Sequence, residues 1–425
     1  MVELIGDTLR VSFPEIHPKA RCEIIFQRTL RIPDDGKAHL LPASLGSFPL
    51  FDVANYPVSD EWKRHGGVFL PMHQSEAMWL RFSMLGDYPF AVKVAAGKIN
   101  AVTGSAWDEA ILATPQDYMV IPQQPWLDGF CVEKGVVRQF VAAPLGEGHT
   151  VEEQMTGNAE WGGLQLTFYP MKAAEYRARF ELPRQAADAI EAMSAQLDET
   201  IQALETPFSQ IEALLKSHEQ RMTELGEMVA KHTGGGEWAV VQYQLDLYAQ
   251  TLKKIDAVRD AWQRNFHPFC RQGRTSFNEV LGLRCSSRRS EAGERSDTGM
   301  GVAAGGLIRQ EIATDPYGPD TWDTAHTARC FVHLVNSQHF AAITGKQPPP
   351  DPITAAQYVA ANIPWFKYDL GGPALSGSPQ LAGIKTLVAT MQLKGQSLPD
   401  NAYTMVGYTV DLSPKKPKQI SEGVF

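Results

Sequence analysis

The sequence predicts an α+β protein: a β-sandwich-like body with an inserted long antiparallel helical hairpin. Three observations predict it. Short stretches of alternating apolar and polar residues, separated by Gly, Pro and Asp turns, fill residues 1–178. An apolar stripe at helical spacing then runs through residues 185–265, broken by a Gly-rich turn. Mixed, strand-containing grammar resumes over 305–425. With 425 residues the chain exceeds one ordinary core, so more than one domain is expected.

Leu9, Val11 and Phe13 alternate with polar neighbours, and a second such run surrounds Ile24 and Phe26. Pro33 and Asp35-Gly36 then set a turn, Pro by presetting φ and Gly by tolerating left-handed backbone. Phe90, Val92 and Val94 alternate, and Ile99 and Val102 continue past Gly97; Lys98 and Asn100 are expected to face a surface or cleft. The stretch Pro115–Lys172 concentrates the most unusual residue types. Tyr118–Ile121 reads as a strand ended by Pro122, QQPWLDG as a loop, and Val136–Ala142 as a strand with Arg138 and Gln139 on opposite faces. GEGHTVEEQMTG follows as a loop or short helix, then a strand over Gly163–Tyr169.

The hairpin is expected over 179–268. Ile190, Met193, Leu197, Ile201 and Leu204 form one stripe, and Val241, Leu245, Tyr248, Leu252, Ile255, Val258 and Trp262 form another. Gly234–Gly236 stop the first helix. Near-heptad stripes of this kind bury against a partner or a second copy, so residues 185–265 are the expected interface for a protein partner or a homo-oligomer. A linker is expected over 269–304. In the last part, Ala328–Asn336 reads as a buried strand, Thr354 caps a short helix, and Leu387–Leu393 and Tyr403–Leu412 read as closing strands.

A net charge of −9 argues against a nucleic-acid binder, which needs clustered Lys and Arg. No apolar run reaches the roughly 18–20 residues that span a bilayer. Five scattered cysteines without CxxC spacing argue against a disulfide framework and fit a reducing, cytoplasmic setting.

No assembled catalytic signature is present, but several positions have suitable chemistry. Asp128 and Glu152, with Arg138 in the same block, offer carboxylates for acid–base work; Cys330 is a candidate nucleophile close to three His. Trp126 and Gln139 are candidate ligand contacts. His326, Cys330 and His333 carry zinc- or iron-compatible donors, yet they share a face only if that stretch is helical; in a strand Cys330 and His333 point apart.

The blocks FQRTLRIPDDG (26–36), KVAAGKINAVTG (93–104), QPWLDG (124–129) and RQFVAAPLGEGHTVEEQMTG (138–157) resemble those of an uncharacterised protein family of bacteria and some microbial eukaryotes. AAGGLIRQEI (303–312) and the ITG–PPP–IPWF run (343–366) share that resemblance. It implies no activity, cofactor or catalytic residue. It implies that the N- and C-terminal parts belong together.

The functional expectation is therefore a non-enzymatic binding or scaffold protein acting through the hairpin. The alternative is an enzyme or small-ligand-binding protein with a site between segments 124–172 and 315–340, conceivably metal-dependent.

Overall fold

The structure, a computed structural model, describes residues 1–84, 88–181, 299–369, 371–398 and 409–413, with four isolated positions between 217 and 224. The chain divides into two compact units, residues 1–173 with 296–425, and residues 174–295. Of the second unit, the continuous described part is the end of helix Ala173–Phe180, where Arg179 pairs with Glu175 one turn earlier. Most of the expected hairpin and nearly all of the expected linker lie outside the described residues. The linker boundary needs correction: Gly299–Arg309 is a strand, so residues 299–304 belong to the sheet.

The first unit is mostly β, with a large, mainly antiparallel sheet and few short helices. Its principal strands are β1 (Val2–Ile5), β2 (Thr8–Ser12), β3 (Arg21–Thr29), β4 (Val68–Met72), β5 (Ala77–Met84) and β6 (Phe90–Ala96). They continue as β7 (Met119–Ile121), β8 (Gly129–Glu133), β9 (Val136–Pro144), β10 (Leu164–Pro170), β11 (Gly299–Arg309) and β12 (Ala328–Asn336). Pairing falls into two runs. One is β1–β2–β3–β5–β9–β11, antiparallel throughout, with β8 also on β9. The other is β4–β12–β10–β6–β7, parallel only between β4 and β12. The runs meet where Gly299 and Met300 pair with Val335 and Leu334. Strands that follow residue 298 thus pair directly with strands that precede residue 173.

The alternation read from sequence has its physical counterpart here. Leu9 and Val11 of β2 are buried while Thr8, Arg10 and Ser12 are half-buried. β6 and β10 depart from alternation because every residue of both is buried, so each face of this part of the sheet is covered. β8 approaches β9 so closely at Gly129 that a Cβ there would lie 1.8 Å from the Arg138 carbonyl oxygen.

Leu387–Leu393 is a helix, not the expected strand. Short apolar runs do not distinguish the two by periodicity alone. Here the Thr386 hydroxyl accepts from the Ala389 amide as an N-cap, and Leu387 and Met391, one turn apart, pack on Ala77, Val141, Ala143 and Ala303. Of the other expected closing strand, Thr409–Asp411 is a strand beside Trp365–Lys367, and residues 403–408 lie outside the described residues. Among the described residues no helix is long and apolar enough to cross a membrane.

Candidate functional site

The side chains singled out in the sequence do not converge. Asp128 follows the short strand Trp126–Leu127 and is buried rather than displayed on a rim. Gln310 holds it twice: its Nε2 donates to Asp128 Oδ2 at 2.7 Å, and its Oε1 accepts from the Asp128 amide at 3.0 Å. Burial pushes the Asp128 carboxyl up to about 7, opposed by the hydrogen bonds from Gln310 and Trp126. The Trp126 ring packs against Tyr368, with centroids 4.7 Å apart.

Arg138 and Gln139 do lie on opposite faces of β9. Arg138 Nη1 reaches toward the Gly305 carbonyl and stands 3.9 Å from Asp34 Oδ1, while Asp34 also takes the Thr386 hydroxyl. Gln139 is fully buried and splints the backbone, donating to Leu30 O and accepting from Ile32 N, both at 2.9 Å. Neither amide end is left for a ligand.

Glu152 lies on helix Val151–Thr156, which opens with a capping box between Thr150 and Glu153. Its carboxylate accepts from the Gly162 amide at 2.8 Å, and burial raises its pKa. Gly97, with φ +55°, leaves the room: a Cβ there would come within 2.2 Å of the Glu152 carboxylate.

The metal expectation fails on geometry. Residues 328–336 form strand β12, so Cys330 and His333 project to opposite faces. Cys330 directs its thiol to the Phe331 carbonyl; His333 Nε2 lies 3.0 Å from the Gly66 carbonyl, its ring stacked on Trp62 at 4.5 Å. His326 is on an exposed turn against Asp323. Among the described residues no group of three or more His, Cys, Asp or Glu side chains is placed to hold a metal ion. Burial pushes the Cys330 and Cys131 thiols up to about 12 and the His333 imidazole down to about 4. Thiols held protonated in this way are poor nucleophiles.

Sequence reasoning missed two buried ion pairs. Lys93, on β6 with both faces covered, meets Asp117 at 2.7 Å and donates to the Asp108 and Ala110 carbonyls, tying down residues 108–117. The signal was a Lys whose neighbours on the same strand face, Ala91 and Ala95 two residues to either side, are small. Arg28 of β3 meets Glu76 at 2.6 Å, and Arg28 also donates to the Pro350 carbonyl. His73 completes that clamp through the Pro349 carbonyl and the Ser337 hydroxyl, each at 2.9 Å. Lys98 is exposed as expected, lying 3.9 Å from the Trp161 ring centre, whereas Asn100 is buried and turns its amide onto the Asp117 carbonyl.

An open cleft of about 740 Å³ lies between segments 102–105, 113–118, 314–319 and 375–380; none of its lining residues comes from the expected 124–172 segment. Its one carboxylate, Asp315, is anchored: Tyr118 Oη donates at 2.6 Å, Trp322 Nε1 at 2.9 Å and the Tyr317 amide at 2.7 Å. Burial, then the Asp315 carboxylate, raise the Tyr118 phenol above its ordinary range. Ser105, Thr114 and Ser376 add hydroxyls to the lining. The arrangement offers hydrogen bonds to an uncharged polar molecule; it does not align a nucleophile with a base.

In comparisons with known proteins, no family model, curated protein or solved structure matches the chain.

Proposed function

We propose that the chain is a non-enzymatic binding or scaffold protein. In this reading a β-sandwich-like body, formed by the two strand runs, carries an antiparallel helical hairpin within 182–268, and that hairpin associates with a protein partner or a second copy. One observation supports it above the rest: the charged and polar groups with catalytic chemistry are engaged inside the body. Asp128 is held by Gln310, Glu152 by the Gly162 amide, Arg28 by Glu76 and Lys93 by Asp117. Asp128, Arg28 and Lys93 join segments well separated in the chain, and Glu152 closes the local turn to Gly162. The association surface itself rests on the stripes at 190–204 and 241–262.

Light scattering on the full chain tests this. Leu245→Glu with Leu252→Glu, in the second stripe, is expected to shift an associated species toward monomer while the melting of the β body stays unchanged. An unchanged mass in that variant contradicts association through the stripe.

The 740 Å³ cleft favours a second reading, a small-ligand protein for an uncharged polar molecule, its site walled by 102–105, 113–118, 314–319 and 375–380. A thermal-shift screen of neutral polar compounds, with Ser376→Trp to fill the opening, distinguishes the readings. A hit that the filled variant abolishes supports this reading; hits indifferent to it count against the cleft.

A further inference from the structure

Gly148, Gln154 and Met155 form one wall of a second cleft of about 590 Å³; residues 379–394 form the other. Gln154 fastens the walls together. Its Nε2 donates to the His149 carbonyl at 3.1 Å and the Lys385 carbonyl at 3.0 Å, and its Oε1 accepts from the Lys385 amide at 3.0 Å. This two-point bond to one backbone unit means the opening exists before any ligand arrives. Thr390 is bound at its edge, its hydroxyl donating to the Leu387 carbonyl and lying 2.9 Å from His149 Nδ1.

The charge of this cleft runs against that of the whole chain. Net charge is −9, yet no carboxylate is among the residues lining the opening, while Lys385 and Lys394 both are. Two carboxylates of the adjoining 147–153 turn have other partners. Glu153 is occupied by the Gly148 amide at 2.8 Å and by Thr150, and Glu147 stands 3.5 Å from His149 Nε2. Among the described residues neither Lys ammonium has an ion-pair partner. Two lysines at an opening of small-ligand size suit a compact dianion, and a Lys ammonium binds phosphate as a point charge.

We propose that this cleft binds a small phosphate-bearing molecule, its dianionic group held between Lys385 and Lys394 with the Gln380 amide as a neutral donor. The site adjoins the 740 Å³ cleft, with Pro379 and Gln380 lining both.

His149 is a built-in reporter. It is fully buried; burial first, and then the charge of Lys394, lower its pKa, while Glu147, Glu153 and Gln396 act the other way. A dianion beside Lys394 offsets that positive charge and raises the imidazole pKa.

The test is titration of the full chain with inorganic phosphate at constant ionic strength, by calorimetry and by NMR of the histidine rings. Saturable binding is expected, weakened about tenfold in Lys394→Gln and in Lys385→Gln and unchanged in Lys346→Gln. In the unsubstituted chain, phosphate is expected to raise the His149 pKa, and chloride at equal ionic strength to leave it in place. Absence of saturable binding, equal binding in the Lys385→Gln/Lys394→Gln double variant, or an identical response to chloride overturns the proposal. A response to succinate but not to phosphate overturns the phosphate class.

Discussion

Glu76→Ala is expected to destabilise the body by roughly 3–5 kcal/mol at neutral pH, the cost of leaving one partner of a buried ion pair unpaired. Arg28 and Glu76 side chains are only 11% and 1% exposed, so water does not replace the lost carboxylate. Arg28 would retain the Pro350 carbonyl, a neutral acceptor, and the His73 amide would lose the Glu76 oxygen it now meets at 2.9 Å. The pair is costly even when intact: burial outweighs the attraction of Arg28 and holds the Glu76 carboxyl above its ordinary range. That comparison sets a second expectation. Arg28→Met with Glu76→Leu, which removes both charges, is expected to cost much less than Glu76→Ala alone. Urea denaturation of the two variants checks this. Equal loss in both would mean that packing, rather than an orphaned charge, dominates the site.

The second large effect belongs to Asp128. Its carboxyl is raised from 3.8 to about 7 in the folded chain, so between about pH 4 and pH 7 the native state holds a proton that the unfolded state releases. Stability therefore falls as pH rises through that window and levels off above it. A rise of about three pKa units corresponds to on the order of 4 kcal/mol. Asp128→Asn cannot ionise. It is expected to lose some stability at pH 4, where its amide meets the donor from Trp126, and to exceed the original chain at pH 8. The difference between the two unfolding free energies should change by several kcal/mol across pH 4–8. Parallel stability curves would contradict a buried, uncompensated carboxyl at this position.

These two sites show what was legible in the sequence. Several strands were readable: Leu9 and Val11 of β2 from alternation, and the expected strands at Tyr118–Ile121, Val136–Ala142, Gly163–Tyr169 and Ala328–Asn336 correspond, within a residue or two at their ends, to β7, β9, β10 and β12. The turn at Asp128-Gly129 was readable too, because Asp and Gly are turn chemistry. The burial of Asp128 was not, since Gln310 comes from a strand far along the chain. Arg28 and Glu76 likewise meet only because β3 pairs with β5. Alternation specifies which face a residue takes, not what covers that face. For this reason Arg138, Gln139 and Glu152 were recognisable as unusual residues in apolar surroundings while their role, joining backbone segments, was hidden. Leu387–Leu393 failed for a local reason: its apolar run is too short for periodicity to separate helix from strand, and the Thr386 cap decided it.

The body is held by strand pairing, and two buried ion pairs, Arg28–Glu76 and Lys93–Asp117, tie its segments together. The proposed association rests on the stripes at 190–204 and 241–262, whose apolar residues recur at spacings of three and four, the order that a facing helix would pack against. Binding through that segment is the central claim.

The most direct test is the native mass of the untagged full chain, measured by light scattering over a hundredfold range of protein concentration. The account predicts a mass of at least two chains, approached as concentration rises, or a stable stoichiometric complex with one co-purifying protein. A strictly monomeric chain across that range, with no reproducible partner, would contradict it.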